Sequence, residues 1–273
     1  MGSLQFISNL FDLIMSPFQS ISPLWALSLF SLLAGLLMLL IFRYTSDQKR
    51  IKETKNGIKA HLLELWLFRD DPWIMISAQW QLLRLNGRYM RLALKPMLVM
   101  IVPMALILIS LEGWFGYRPL QPGEAVIISV QVGDEELGLL EKASLKANGA
   151  ITVETPPLRI QSAHEVDWRV RASRVGVHKV SLDLTESILE KQVVVTQGLA
   201  RVSSSRLSSE LWQVLLYPGE PHIPQQFGIQ RIDVHYPARS INIFHWSLHW
   251  LVVFFVLSIV FALVFKRIFK VEL

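Results

Sequence analysis

The chain has 273 residues, of which 52% are hydrophobic and 18% charged, with a formal net charge of +5 and no cysteine. The charged fraction lies well below the roughly 25% of ordinary soluble proteins, which disfavours a purely soluble enzyme. The lack of cysteine excludes disulfides, thiol nucleophiles and cysteine-ligated metals.

The N-terminal region predicts an interfacial segment followed by a membrane span. Residues 1–22 are typical of an amphipathic helix lying in the outer membrane interface, and the alternative is a poorly ordered terminus that partitions into lipid. The apolar positions of that segment are Phe6, Ile7, Leu10, Phe11, Leu13 and Ile14. Residues 24–42 then carry no charge, and a helix of that length can cross a bilayer core of about 30 Å. The first span is therefore assigned to 23–43.

Residues 44–95 predict an antiparallel pair of helices. Apolar side chains recur at alternating spacings of three and four, which indicates a heptad seam. The seam consists of Trp73, Ile76, Trp80, Leu83, Gly87, Met90 and Leu94. A weaker seam precedes it at Ile51, Ile58, Leu62 and Leu65. Between the two, Asp71 can cap a helix that has Pro72 in its first turn.

The polar face of this hairpin is basic, which allows two interpretations. It is either a solvated face that sets membrane topology or a surface for anionic lipid, a ribosome or an acidic client. Its members are Lys49, Arg50, Lys52, Lys59, Arg84, Arg88 and Arg91.

Residues 96–117 predict a second span, with Pro96 at its start and Pro103 inside it. A proline inside a span bends the helix and frees a backbone carbonyl. That would suit a hydrated concavity, but it is also ordinary in membrane helices, so both interpretations stay open.

Residues 118–240 predict an all-β domain. Period-two alternation indicates strands at 126–132, 150–154, 166–172, 177–184, 192–196 and 229–236, with Asn148-Gly149 as a hairpin turn. This number of short strands suits an immunoglobulin-like sandwich. Residues 207–217 fit either a helix or a strand.

Residues 241–266 predict a third span, whose apolar stretch is 246–265, and 267–273 form a tail. Residues 43–95 hold 11 basic and 5 acidic side chains, whereas 118–240 hold 13 and 14. The positive-inside rule then places the hairpin and C-terminus in the cytoplasm, and the N-terminus and β-domain outside a plasma (inner) membrane. An aromatic belt is predicted at the outer ends of the spans, formed by Trp25, Trp114, Tyr117, Trp246 and Trp250.

The residue patterns offer little for catalysis, so no catalytic residue, cofactor or metal is predicted. His164, His178, His222 and His235 lack a metal-ligand spacing, and there is no nucleophile elbow or glycine-rich phosphate loop. His245 and His249 lie four residues apart and could bind a metal, although their tryptophan neighbours favour an interfacial anchor. DNA is also disfavoured, because the basic charge comes without a nucleic-acid motif.

The order of these parts resembles the YidC/Oxa/Get/EMC-type insertase superfamily, most closely its three-span relatives, over roughly 4–117 and 241–273. The hairpin opening 46–52, Tyr89, Lys95-Pro96 and Val102-Pro103-Met104 are similar to elements of that family. Lys95 replaces the usual asparagine, and the first span lacks the arginine that YidC carries at mid-depth.

The resemblance implies a membrane-protein insertase or chaperone with a polar groove open to the cytoplasm and to lipid. Nascent membrane proteins would be its clients, and an oligomer or partner subunit would complete a platform of only three spans. The candidate groove or client-contact residues are Ser31, Arg43, Arg91, Lys95, Pro103, Ser110 and Ser258. The alternative is a membrane-anchored binding or scaffold subunit that acts through its β-domain.

Overall fold

The structure is a computed structural model that describes residues 15–18, 22–68, 71–133, 138–184, 187–208, 220–221, 223–224, 227–243 and 246–271. The interfacial segment predicted for 1–22 therefore lies largely outside the described residues, as do His222, His245 and most of 207–217. The helices are α1 (Pro23–Thr45), α2 (Gln48–Leu67), α3 (Pro72–Phe115), α4 (Gly138–Lys142) and α5 (Trp250–Phe265). Two compact units result: a helical unit (28–107 and 251–273) and a β unit (1–27 and 108–250).

Two of the helices, α1 and α3, are long and apolar enough to cross a membrane. The 44 residues of α3 run without a break from the hairpin into the second apolar segment, with Pro96 and Pro103 both inside the helix. Neither proline therefore marks a helix end, although the sequence suggested a start at Pro96. The third apolar helix, α5, has 16 residues and is about 24 Å long.

The third apolar segment was predicted to be helical from residue 246, but its helix begins later. Trp246–His249 form strand β11, which pairs with β10 (Ser240–Ile243), and α5 starts only at Trp250. Four residues of the expected span are thus extended backbone. His249 lies on the strand, so the helical spacing assumed for a histidine pair does not apply to it.

Both helices of the hairpin begin with an aspartate cap. Asp71 caps α3 by accepting from the Trp73 amide at 3.0 Å, and Asp47 caps α2 by accepting from the Arg50 amide at 3.1 Å.

The helices of the hairpin pack through small residues and not through the predicted heptad seam. Ala78 is fully buried, and a Cβ built on Gly57 would lie 3.1 Å from Leu85 Cδ1. Ala78 and Leu85 are seven residues apart on one face of α3. The small side chains on this face let the helices approach, which the tryptophans of the seam would prevent.

A second cluster joins the ends of the helices in the helical unit. Its buried members are Leu39, Phe42, Ile51, Ala262 and Val271, and Tyr89, Leu92, Phe265 and Phe269 pack against them. The residues after α5 are thereby held against the beginning of α2.

The β unit contains the strands β1 (Ala125–Val132), β2 (Ser144–Ala147), β3 (Ile151–Val153), β4 (Leu158–Ile160), β5 (Glu165–Ala172), β6 (Gly176–Leu184), β7 (Ser187–Val195), β8 (Ser205–Leu207) and β9 (Ile229–Val234), besides β10 and β11. One antiparallel sheet has the order β3-β5-β1-β9-β8, with β4 also on β5, and another has the order β2-β6-β7. The prediction of a β-rich region is confirmed, and every predicted strand overlaps an observed one.

Both sheets contribute to one hydrophobic core. Val130 of β1, Trp168 of β5, Val193 of β7 and Ile232 of β9 are all at most 2% exposed. The alternation that predicted the strands is the alternation between this core and the outer faces, as for Val130 and its exposed neighbour Gln131. The two chain ends of the domain are paired: the Arg118 amide donates to Pro237 O at 2.9 Å and the Arg239 amide to Gly116 O at 3.1 Å.

Tyr236 connects the two sheets. It follows β9, and its phenol oxygen accepts a hydrogen bond from the Val194 amide of β7 at 2.9 Å. The side chain is 4% exposed, and this burial raises the pKa of the phenol. Ionisation would place an uncompensated charge between the sheets.

We expect Tyr236→Phe to reduce the fall in the free energy of unfolding as the pH rises above 10. A pKa above the unfolded value of about 10 means that stability is fully present below pH 10 and is lost as the pH rises beyond it, by up to about 1.4 kcal/mol per pH unit. At neutral pH the variant loses about 1–3 kcal/mol, because the Val194 amide loses its acceptor. Chemical unfolding between pH 8 and 11 measures both effects. Tyr44→Phe, at a tyrosine that is 79% exposed, is the control, and equal slopes for the two variants would refute the prediction.

Candidate functional site

The most prominent surface of the helical unit is an apolar ridge along α3. It comprises the predicted seam residues Trp73, Ile76, Trp80, Leu83, Met90 and Leu94, which are 53–83% exposed. Met97, Leu98, Ile101 and Val102 extend it toward the centre of the apolar segment, at 56–65% exposure. Heptad spacing keeps the seam residues on one face, opposite the face that packs on α2. A row of this length is much larger than the scattered apolar side chains of ordinary surfaces, so it indicates a contact surface.

One edge of the apolar ridge is basic. Arg84 and Arg91 follow ridge residues by one position, and Arg88 and Lys95 lie one helical turn further on, so all four lie on the same side of the helix. All four side chains are exposed, and no acidic residue occurs in 72–111. These residues were predicted as part of the basic surface or of the groove. The structure places them beside the ridge.

Two of the three serines expected to line a groove are buried. Ser31 of α1 and Ser258 of α5 are 0% exposed, and Ser258 Oγ donates to its own helix at Phe254 O, 2.7 Å away. Between them α1 and α5 approach so closely that a Cβ on Gly35 would lie 2.7 Å from Ser258 O. Small residues allow such close contacts between apolar helices. Helix packing therefore buries both serines, and neither lies in an open groove.

The remaining predicted groove residues do not form one constellation. Arg43 is exposed near the end of α1, whereas Pro103 and Ser110 are half-buried on α3. Of the predicted hairpin cations, Lys49, Arg50, Lys52 and Lys59 are exposed on α2.

The five predicted belt aromatics divide into exposed and packed side chains. Trp25 and Trp246 are 66% and 73% exposed, as a membrane interface would require. Trp114 and Trp250 are buried, and the Trp250 ring lies 6.4 Å from Phe115. Tyr117 packs against the core of the β unit. Packing within the β unit thus explains three aromatics that the sequence assigned to lipid.

The β unit carries a separate cleft of about 710 Å³. Its lining is mainly apolar and is formed by Ala125, Val126, Ile127, Thr155, Pro156, Pro157, Leu158, Asp167, Trp168, Arg169 and His235. Ile127 and Leu158 are 45% and 61% exposed. The cleft lies beside a polar cluster that the sequence analysis missed.

This cluster joins Ser129 of β1, Asp167 of β5 and His235, which directly follows β9. Ser129 Oγ donates to Asp167 Oδ1 at 2.7 Å and lies 2.9 Å from His235 Nε2. Since its only proton goes to the carboxylate, the hydroxyl accepts from the histidine. A catalytic triad needs the histidine between acid and serine, so this order does not activate a nucleophile. Strand alternation predicts outward positions for Ser129 on β1 and Asp167 on β5, but only the strand register shows that they lie opposite each other.

The three-stranded sheet β2-β6-β7 carries a buried ion pair. Lys191 Nζ of β7 donates to Glu220 Oε1 at 2.8 Å, and both side chains are 3% exposed. The ammonium also donates to Ser203 O at 2.8 Å. Burial lowers the pKa of Lys191, and the Glu220 carboxylate opposes that shift. The pair fixes the segment at 220 to β7, so its role is structural.

Among the described residues, no group of three or more histidine or acidic side chains could hold a metal ion. Comparison of the chain with protein-family models, curated proteins and solved structures finds no match.

Proposed function

We propose that the chain is a membrane-protein insertase or chaperone that receives clients on the apolar ridge of α3. In this proposal α1, α3 and α5 are three spans, the hairpin is cytoplasmic, and the β unit is an extracytoplasmic, immunoglobulin-like domain. The observation that carries the proposal is the ridge itself, an exposed apolar row that continues from the hairpin into an apolar segment.

The ridge offers an apolar surface at the point where a client would leave water. A client helix that packs on Trp80 and Leu83 can move along the same face to Met97 and Ile101 without exposing its apolar side chains. The basic edge at Arg84, Arg88 and Arg91 would attract an acidic client flank or anionic lipid. This mechanism needs neither an arginine at mid-depth nor hydroxyls in a groove.

Site-specific photocrosslinking in the native membrane tests this role. A photoreactive amino acid at Trp80, Leu83 or Met90 is expected to crosslink to nascent membrane proteins. The same probe at Leu85, on the opposite face of α3, is the control and should crosslink within the hairpin. Absence of client crosslinks from all three ridge positions, in protein that is inserted and folded, would refute the proposal.

The cleft of the β unit favours a second candidate function, an anchored binding subunit of an envelope complex. Here a partner would bind beside Ile127 and Leu158, and the helices would only hold the domain. Removal of residues 123–238 should then abolish function, whereas charge or ridge substitutions in the hairpin should leave it intact. The opposite pattern supports the insertase.

A further inference from the structure

A cavity of about 670 Å³ in the helical unit brings together basic side chains from two distant parts of the chain. The beginning of α2 contributes Lys49, Lys52 and Lys55, and the segment after α5 contributes Lys266, Arg267 and Lys270. The rest of the lining consists of Gln48 and Val271, so no carboxylate lines the cavity within the described part of the chain.

The backbone that presents these cations is held in place. Val271 is 6% exposed in the cluster with Ile51 and Phe42, and its amide donates to Lys266 O at 3.0 Å. Lys270 has a φ of 52°, in the left-handed region that side chains other than glycine rarely adopt. The fold therefore keeps a lysine where the backbone favours glycine, and holds that lysine facing α2.

Cations that share one cavity repel one another, and salt screens this repulsion only beyond about 8 Å to 10 Å. A bound anion would remove this repulsion, and several lysines with one arginine suit phosphate oxygens. The cavity is also larger than a single phosphate requires. We propose that it binds an anion with at least two phosphate groups, carried either by a phospholipid headgroup or by a soluble polyphosphate compound.

The position of the cavity fits both sources of this anion. It adjoins the ends of the apolar helices α1 and α5, where headgroups would lie if these helices span the bilayer. It is also open to water, since Lys52, Arg267 and Lys270 are exposed. The site does not require insertase activity, so it can be tested separately.

The test uses the full chain in nonionic detergent, titrated with cardiolipin by native mass spectrometry and with inorganic pyrophosphate by calorimetry. The variant K52Q/R267Q/K270Q is expected to bind the tighter-binding of the two probes about 100-fold more weakly, because each charge near a membrane surface contributes about fivefold in affinity. The control K142Q/K146Q/R174Q removes the same charge from exposed positions of the β unit and should change affinity less than threefold. Arg267→Gln alone, expected at about fivefold, covers the case in which the triple variant does not fold.

The two probes distinguish the sources of the anion. Cardiolipin bound without competition from pyrophosphate identifies a lipid site, whereas tight pyrophosphate binding that excludes cardiolipin identifies a soluble ligand. Equal losses in the two triple variants, or no loss in either, would overturn the proposal, since binding would then depend on net charge alone or be absent.

Discussion

Replacing Lys191 with methionine is expected to lower the free energy of unfolding by about 3–5 kcal/mol, because it leaves the Glu220 carboxylate buried without its partner. The loss is large since neither side chain can reach water, each being 3% exposed. For a chain of this size it corresponds to a fall in melting temperature of about 10 °C. Thermal unfolding of the full chain, followed by the circular dichroism of its β-structure, measures it.

The same hairpin of strands supplies the matched control. Lys179 on β6 pairs with Glu190 on β7 at 2.6 Å, but their side chains are 58% and 51% exposed. Lys179→Met should therefore cost less than about 1 kcal/mol. The double variant K191M/E220Q should recover most of the loss caused by Lys191→Met. If it does not, the destabilisation comes from packing and not from the unpaired charge.

Replacing Gly35 with leucine is expected to separate α1 from α5. Even the first side-chain atom would lie 2.7 Å from Ser258 O and 3.4 Å from Phe261 Cβ, so two backbones must move apart. Overpacking of this kind costs about 1–3 kcal/mol, and the longer leucine should reach at least the upper value. A dodecyl sulfate titration of the purified chain, followed by helical circular dichroism, should show a lower unfolding midpoint.

Gly87→Leu is the control for this experiment, because nothing lies within 4 Å of a Cβ built at Gly87. The residue is also helical, so the change should be neutral or should stabilise α3 by up to about 1 kcal/mol. Equal destabilisation by the two substitutions would show that the close contact between α1 and α5 at Gly35 is not the cause of the loss of stability.

The sequence predicted the elements of this fold better than their contacts. Strand alternation around Val130 and Trp168 located the strands, because burial on one face of a sheet imposes a period of two. The heptad pattern of α3 correctly identified one continuous face of the helix. It could not show that Ala78 and Gly57 would form the packing face, since a small residue leaves little hydrophobic pattern in a sequence.

The positions of the candidate site residues were less predictable from the sequence, because they too depend on contacts between distant segments. Ser31 and Ser258 fit a polar lining by composition, but the close approach at Gly35 decides that they are buried. Lys52 and Lys270 are separated by more than two hundred residues, and only the anchoring of Val271 brings their segments together. The order of Ser129, Asp167 and His235 likewise depends on strand register, which composition does not reveal.

The paired chain ends of the β-domain have an evolutionary consequence. Residues 116–118 and 237–239 are hydrogen-bonded to each other, so the chain enters and leaves the domain at nearly the same place. Such a module can be gained or lost within an existing polypeptide with little change to the flanking backbone, as tolerated domain insertions generally require. A short glycine-rich link in its place should suffice to join the flanking segments.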